Sequence, residues 1–211
     1  MTKIRFRYSK TGKAAYISHL DLMSTMQRSF LRAGMNLKYS EGFNPHPYIS
    51  VALPLSVGCE SLCELLDVEI TDDVLPEIES IKLPEGIVIK EAYVPSRRFN
   101  EIVWIEIESL IYYNEQTSGD IIDRLNSRFN ADSIVIKKRT KRGVKDLDIS
   151  PYIKEIELKN EEKLFLKAKI SAQNPTVNIS DLESIFESEL KYTQIDMKRI
   201  EIYDINMITY K

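Results

Sequence analysis

Residues 3–34, KIRFRYSKTGKAAYISHLDLMSTMQRSFLRAG, decide the fold that this sequence predicts, because two kinds of periodicity follow each other there. Apolar and basic residues alternate over 3–9, which indicates a half-buried strand that shows a row of cations to water. From residue 17 apolar residues recur at helical spacing, which indicates an amphipathic helix: Leu20, Met23, Met26, Phe30 and Leu31. Ser18 with Asp21 predicts the cap of that helix, and Gly34 predicts its end.

Further strand and helix patterns continue this unit to residue 96. The strand patterns are MNLKYS, YISVALP, LLDVEI and IVIKEAYV, and a short helix pattern, DDVLPEIESI, follows Thr71. Paired acids at the start of that helix, Asp72 and Asp73, complement its dipole. The order of elements is β-α-β-β-α-β, which is that of a ferredoxin-like unit.

The second half repeats this order in weaker form, with one extra strand. Strand patterns lie at 101–113, 133–139, 152–158, 163–171 and around 198–205, and helix patterns lie at 118–130 and 179–190. We therefore predict an α+β protein of two tandem ferredoxin-like (βαββαβ) units with antiparallel sheets. The units span 1–96 and 97–211, and the segment VPSRRFN (94–100) joins them.

Composition is that of an ordinary globular protein, with 43% hydrophobic and 29% charged residues in 211. The chain has neither a long apolar run nor an apolar leader, so we expect a cytoplasmic protein without membrane contact. Charge is unevenly distributed: residues 1–48 hold eight Lys or Arg against two acids, 59–91 hold ten acids against two Lys, and 137–145 hold six basic residues. If the two basic blocks shared a face, that face would suit phosphates, whereas scattered solvated charge is the alternative.

Motifs of common enzyme and cofactor classes are missing from the sequence. It contains no P-loop, no dinucleotide-binding glycine pattern, no H-E-x-x-H and no G-x-S-x-G, and we expect no cofactor and no metal. Cys59 and Cys63 have C-x-x-x-C spacing, but a third cluster ligand is lacking because residue 66 is Leu. Buried thiols that fill a core are the better interpretation of these cysteines.

The stretch GFNPHP (42–47) predicts a stiff, extended connector, because each proline fixes its own φ and restricts the residue before it. Such a connector can display Asn44 and His46, flanked by Phe43 and Tyr48, to a nucleobase or another flat ligand. Equally, the prolines direct the chain between two strands while the aromatic rings fill the core. The basic turn RTKRGVKDLD (139–148) likewise fits either a phosphate contact or a solvated hairpin.

Two long passages resemble the radical-SAM-linked protein family, a domain of unknown function found fused to, or separate from, radical S-adenosylmethionine enzymes. They are FRYSKTGKAAYISHLDLMSTMQRSFLRAG and KYSEGFNPHPYISVALPLSVGCES with ELLDVEI, and RTKRGVKDLDISPYI adds a less specific match. The resemblance implies a substrate-handling or partner-docking module in RNA or ribosome biology. Any radical chemistry would then come from a separate enzyme.

The leading hypothesis from the sequence is a non-catalytic module that binds RNA and presents it to a radical SAM enzyme in trans. The candidate RNA contacts are Arg5, Arg7, Lys10, Lys13, His19, Tyr39, Phe43, Asn44, His46, Lys137, Lys138, Arg139, Lys141 and Arg142. One alternative is a metal-independent endoribonuclease like the enzymes that process CRISPR repeats, with His19 or His46 as the base and Tyr16 assisting. A protein–protein adaptor is the other alternative.

Overall fold

The computed structural model describes residues 2–72, 74–113, 120–140, 143–160, 162–190 and 192–211, with the backbone alone at 139 and 140. Asp73, Lys141 and Arg142 therefore lie outside the described residues. The chain divides into two compact units, of which unit 1 ends at Glu101 and also includes Lys211, and unit 2 spans Ile102–Tyr210. Both units mix helices with antiparallel strands, so the predicted α+β class is confirmed. None of the helices within the described residues is long and apolar enough to cross a membrane.

The described residues of unit 1 form four strands and one α-helix. In chain order they are β1 (Thr2–Lys10), α1 (His19–Arg32), β2 (Ile49–Val51), β3 (Glu60–Ile70) and β4 (Ile87–Tyr93). The strands lie side by side in the order β4-β1-β3-β2, and every neighbouring pair is antiparallel. The first strand of the chain is therefore at the centre of this sheet.

The core of unit 1 lies between α1 and one face of its sheet. Met26 and Phe30 of α1 and Ile4 and Phe6 of β1 are completely buried, and the rings of Phe6 and Phe30 stack with centroids 4.8 Å apart. Burial of these side chains stabilises the unit by about 1.5–3 kcal/mol each. They are apolar residues of the two sequence patterns, so the predicted strand and the predicted helix are both confirmed.

The ends of α1 were also predicted correctly. Ser18 has extended backbone and its hydroxyl accepts a hydrogen bond from the Asp21 amide at 3.2 Å, and Gly34, with φ +80°, follows the last turn. The inward face is slightly different from the predicted one, because Leu20 is 76% exposed and Leu31 is 45% exposed. Leu22 takes their place in the core.

Two predicted elements of unit 1 are wrong. The helix expected over 72–81 is reduced, among its described residues, to a single 3-10 turn, Ile78–Ser80, since Pro76 lacks the amide that a helix needs and Glu77 is extended. The strand expected over 35–40 is limited to isolated bridges at Leu37 and Tyr39.

In unit 2, the part of the chain that the structure describes forms six strands and two α-helices. They are β5 (Trp104–Tyr113), α2 (Asp120–Phe129), β6 (Val135–Thr140), β7 (Gly143–Asp148), β8 (Ile153–Asn160), β9 (Leu164–Ser171), α3 (Ile179–Glu189) and β10 (Tyr192–Tyr203). The main sheet has the antiparallel order β10-β5-β9-β8, while β6 and β7 form a separate hairpin. Strand β7 was missed because its sequence, GVKDLD, has only two apolar residues.

Both helices of unit 2 cover the same face of that sheet. Leu125 of α2 and Phe186 of α3 are completely buried, and Phe129 and Phe186 lie 5.9 Å apart between their ring centroids. As in unit 1, the first strand is central, between the last strand and the next-to-last. Each unit therefore has one sheet face covered by helix and one face that carries polar side chains.

Candidate binding surface

The aromatic loop, residues 38–48, leads from α1 into β2 and is closed by backbone hydrogen bonds between its two arms. The Ser40 amide donates to the His46 carbonyl at 2.8 Å, the His46 amide donates to the Ser40 hydroxyl at 3.0 Å, and the Tyr48 amide donates to the Lys38 carbonyl at 3.0 Å. The chain reverses between these arms, and Gly42 has φ +119°, which an L side chain rarely adopts. The predicted connector is therefore not extended throughout, because the chain bends over 41–44, and the prolines lie in the second arm of a closed loop.

Phe43 is fully exposed at the tip of the aromatic loop. Asn44 and His46 are exposed beside it, and Tyr39 and Tyr48 in the two arms are 39% and 44% exposed. A loop that is pinned at its base while its aromatic rings remain in solvent resembles a preformed recognition surface. The alternative in which Phe43 and Tyr48 fill the core is excluded.

A shallow hollow of about 180 Å³ lies next to the second arm of the aromatic loop. Its lining comes from β1, the loop, β2 and β3: Lys3, Pro47, Tyr48, Ile49, Ser50, Asp67 and Glu69. Lys38 lies over the Tyr48 ring, with its ammonium 4.8 Å from the centroid, and donates to Glu69 at 2.9 Å. That hydrogen bond raises the pKa of the Lys38 ammonium, against a smaller opposing effect of desolvation. No sequence pattern pointed to this hollow.

The cations of β1 are not the solvent-facing row that the alternation predicted. Arg5 is 1% exposed: its guanidinium donates to both carboxylate oxygens of Asp67, at 2.7 and 3.0 Å, and lies over the Phe99 ring at 4.3 Å. Arg7 is also buried, at 8% exposure. Arg5 is covered by the segment that contains Phe99, where the Arg97 carbonyl also accepts from its guanidinium at 2.9 Å. That prediction is therefore corrected: only Lys3 of this row is exposed.

Lys10 at the end of β1 holds the following turn in place. Its buried ammonium donates to the carbonyls of Ala15 and Ile17 at 3.2 and 2.9 Å, and desolvation lowers its pKa although Glu64 and Cys59 act in the opposite direction. The turn packs tightly against Gly86, where an added Cβ would lie 2.2 Å from the Thr11 carbonyl oxygen. Lys13 at the tip of the turn is exposed, so it is the candidate contact that this segment offers to solvent.

The cations of the basic hairpin, which consists of β6 and β7, differ in their exposure to solvent. Lys137 and Lys145 are exposed, whereas Lys138 donates to the Thr176 carbonyl at 2.6 Å and pairs with Asp181 of α3. The side chain of Arg139, like Lys141 and Arg142, lies outside what the structure describes. At the base of the hairpin the Asp148 carboxylate accepts from the amides of Ser150 and Ile134, which holds its pKa well below the usual range.

The candidate catalytic groups lie on the surface of unit 1. His19 begins α1, His46 lies in the aromatic loop, and Tyr16 is 72% exposed next to Gly58. Neither imidazole has a hydrogen bond or ion pair with another described residue. Within the described part of the chain, no three His, Cys, Asp or Glu side chains are placed to hold a metal ion.

Both cysteines are buried thiols, as predicted. Cys59 directly precedes β3 and Cys63 lies within it, so their Cα atoms are separated by about 13 Å of extended chain. That separation is too long for a disulfide.

An ion-pair network on the polar face of the unit 2 sheet was missed by the sequence reasoning. Glu106 on β5 accepts from Lys167 on β9 and from the Tyr203 hydroxyl on β10, each at 2.6 Å. Burial opposes ionisation of Glu106, but these two hydrogen bonds outweigh it and lower its pKa; burial and the same carboxylate raise the pKa of Tyr203. The alternation of acids on β5 with lysines on β9 was the signal that could have predicted it.

Comparisons with known proteins give a family and a fold. Residues 3–180 match the family described as "uncharacterized protein conserved in bacteria" (DUF2344). No curated protein matches the chain. Among solved structures, it is similar to a chain in the crystal structure of a Cbf5-Nop10-Gar1 complex, with a TM-score of 0.54 and 10% identity over 94% of this chain. At that identity the likeness shows the fold alone, and this chain covers 48% of that chain, about half its length.

Proposed function

The chain belongs to the DUF2344 family, which is uncharacterized and conserved in bacteria, and we propose a function for it from its surface. In this proposal the chain is a binding module, without catalysis of its own, that holds single-stranded RNA. The observation that carries the proposal is the full exposure of Phe43 at the tip of a loop that backbone hydrogen bonds close. An exposed aromatic ring offers a stacking platform to any nucleobase, worth about 1–3 kcal/mol per base. Since the loop is already ordered, little conformational entropy is lost when it binds.

The side chains around Phe43 favour a nucleobase over an apolar protein surface. Asn44 and His46 are exposed hydrogen-bonding groups that lie between the two aromatic residues Phe43 and Tyr48, whereas the centre of a protein interface is a contiguous, desolvated cluster. Exposed cations for the phosphates are Lys3 and Lys13 in unit 1 and Lys137 and Lys145 in unit 2. Arg5, Arg7 and Lys10 are buried and do not contribute. RNA affinity should therefore fall less steeply with salt than it would if all eight basic residues of 1–48 contacted phosphates.

We also propose that each unit is a variant of the ferredoxin-like fold. Support comes from the antiparallel strand order, in which the first strand lies between the last strand and the next-to-last. Unit 1 then departs from the pattern by replacing its second helix with a 3-10 turn, and unit 2 departs by inserting the β6–β7 hairpin.

A separate radical SAM enzyme is the partner that we propose for this module. The proposal depends on the family resemblance and on the two buried thiols, which lack the third ligand that an iron–sulfur cluster of that class needs. Co-purification of the tagged chain from its own cells, with proteins and nucleic acids both identified, tests it. Reproducible recovery of the chain without a radical enzyme would contradict this part of the proposal and leave RNA binding untouched.

RNA binding is tested by fluorescence anisotropy with short single-stranded oligonucleotides, for the wild type and for Phe43→Ala. We expect the substitution to weaken binding by about fivefold or more. Val88→Ala is the matched control, because Val88 is also an exposed apolar residue of unit 1 but lies on β4. Equal affinity of Phe43→Ala and wild type would contradict the proposed role of the loop.

The endoribonuclease alternative is decided by the same oligonucleotides in EDTA. Cleavage that His19→Ala or His46→Ala abolishes would replace the binding module by a metal-independent nuclease, with Tyr16 as an assisting group. Intact RNA that shifts in anisotropy supports the module. A protein partner recovered without any RNA affinity would instead support the adaptor.

A further inference from the structure

We propose that the hollow beside β2 is a subsite for one nucleotide, in which the Tyr48 ring stacks on the base and Lys3 contacts the phosphate. The inference rests on the proposed RNA binding and names where the strand continues after Phe43. It depends on three properties of the hollow: its size, its charge balance and the groups that line it.

Size limits what the hollow can hold. Pockets for complete small-molecule ligands measure about 300–1,000 Å³, whereas this hollow measures about 180 Å³. It therefore suits one planar ring or one small group of a longer ligand. Tyr48 lies five residues after Phe43, so at most about 18 Å of chain separates them, and a short oligonucleotide can contact both.

Charge in the hollow favours an anion, although two carboxylates line it. Asp67 is neutralised by the bidentate Arg5, and Glu69 is neutralised by Lys38 at 2.9 Å. Lys3 is then the surplus cation: its side chain is 51% exposed and its ammonium lies 3.9 Å from Glu69, the outer limit of an ion pair. A phosphate can therefore pair with the Lys3 ammonium while Asp67 keeps its partner Arg5 and Glu69 keeps its partner Lys38.

The remaining lining supplies a stacking surface and a hydrogen-bonding group. The Tyr48 ring is 44% exposed, and the Lys38 ammonium covers at most one of its two faces. Ser50, on β2 opposite Asp67, is exposed, and its hydroxyl can donate to or accept from a base edge. A ring, a hydroxyl and a cation in one hollow match the base and phosphate of a nucleotide.

Substitutions in the hollow, measured with hexa-adenylate and hexa-uridylate, test the subsite. We expect Tyr48→Leu to weaken binding by about fivefold or more, while Tyr48→Phe, which keeps the ring, stays within about twofold of wild type. Lys3→Gln should reduce the slope of log affinity against log salt by about 0.7, and Lys82→Gln, at an exposed lysine away from the hollow, should leave that slope unchanged.

Failures of the two proposals look different in this experiment. If Phe43→Ala weakens binding but Tyr48→Leu and Lys3→Gln do not, the subsite is overturned and RNA binding by the loop stands. If Tyr48→Leu weakens binding but Phe43→Ala does not, the subsite is supported and the role of the loop tip fails. If wild-type protein binds neither oligonucleotide, both proposals are overturned.

Discussion

Each unit has an ion pair between its first strand and its next-to-last strand, but the two pairs differ in their exposure to solvent. In unit 1, Arg5 of the central strand pairs with Asp67 of its neighbour; in unit 2, Glu106 of the central strand pairs with Lys167 of the corresponding neighbour. The signs are reversed. Arg5 is 1% exposed and bidentate, whereas the Lys167 side chain is 38% exposed and shared between Glu106 and Glu108.

The difference in exposure indicates different roles for the two cations: Arg5 stabilises unit 1 from within, whereas Lys167 remains accessible to solvent. A buried pair becomes costly when one partner is removed, because the remaining charge is left without compensation in a poorly solvated place. A half-exposed pair is screened by water and contributes less. A basic residue of a sheet is therefore a candidate for an RNA contact only where its side chain is exposed and weakly paired, as that of Lys3 is near the start of β1.

The largest effect that we expect is that of Arg5→Ala. It should lower the free energy of unfolding by about 3–5 kcal/mol, because Asp67 would remain buried without its partner. Denaturant titration monitored by circular dichroism measures the change. The double substitution Arg5→Met with Asp67→Leu should restore most of the stability, and Lys3→Ala, at an exposed position, should cost less than about 1 kcal/mol. A loss for Arg5→Ala as small as that for Lys3→Ala would refute the buried pair.

A smaller, pH-dependent effect is expected in unit 2 for Glu106→Gln. Because the pKa of Glu106 is lowered in the folded unit, its contribution is present above its ordinary pKa and is lost as the pH falls through the folded value. The substitution should cost about 1–2 kcal/mol near neutral pH, and the difference from wild type should shrink below about pH 4.

Glu108→Gln is the control for that measurement, since its contact with Lys167 is longer, at 3.6 Å, and its side chain is 35% exposed. Urea titrations at a series of pH values compare the two variants. A cost for Glu106→Gln that stays constant from neutral to acidic pH would show that the carboxylate charge does not stabilise unit 2.

The smallest effect on stability should come from the hairpin lysines Lys137 and Lys145, which are exposed. Changing both to Gln should alter the free energy of unfolding by less than about 0.5 kcal/mol. The slope of log RNA affinity against log salt should fall by about 0.7 for each lysine that contacts a phosphate. An unchanged slope would remove the hairpin from the proposed RNA surface.

Local patterns in the sequence predicted much of the fold. The stretch from β1 to Gly34 forms the expected strand and capped helix because its period, cap and stop all agree. The helix over 72–81 failed because Pro76 outweighed an apolar spacing that was only weakly helical. Strand β7 was missed because its residues are mostly polar and exposed, so they show no apolar alternation.

Surface exposure was harder to predict than structure. The alternation over 3–9 correctly indicated a strand, but it could not show that Asp67, far along the chain, would cover Arg5. Conversely, nothing local showed that the arms of the aromatic loop would pair and leave Phe43 in solvent. The burial of Arg5 depends on a partner 62 residues away. The loop depends on hydrogen bonds across a reversal of the chain, between residues as few as six apart. A period of two or 3.6 contains neither kind of contact.

The central claim is that RNA contacts the aromatic loop and the hollow beside it, and crosslinking tests this most directly. Wild-type protein would be irradiated with a single-stranded oligonucleotide that contains 4-thiouridine, and the crosslinked peptides would be identified by mass spectrometry. We predict crosslinks at residues 39–50, centred on Phe43 and Tyr48, which compete with unlabelled RNA. Specific crosslinks that fall only elsewhere in the chain, or none above those of a denatured control, would contradict the claim.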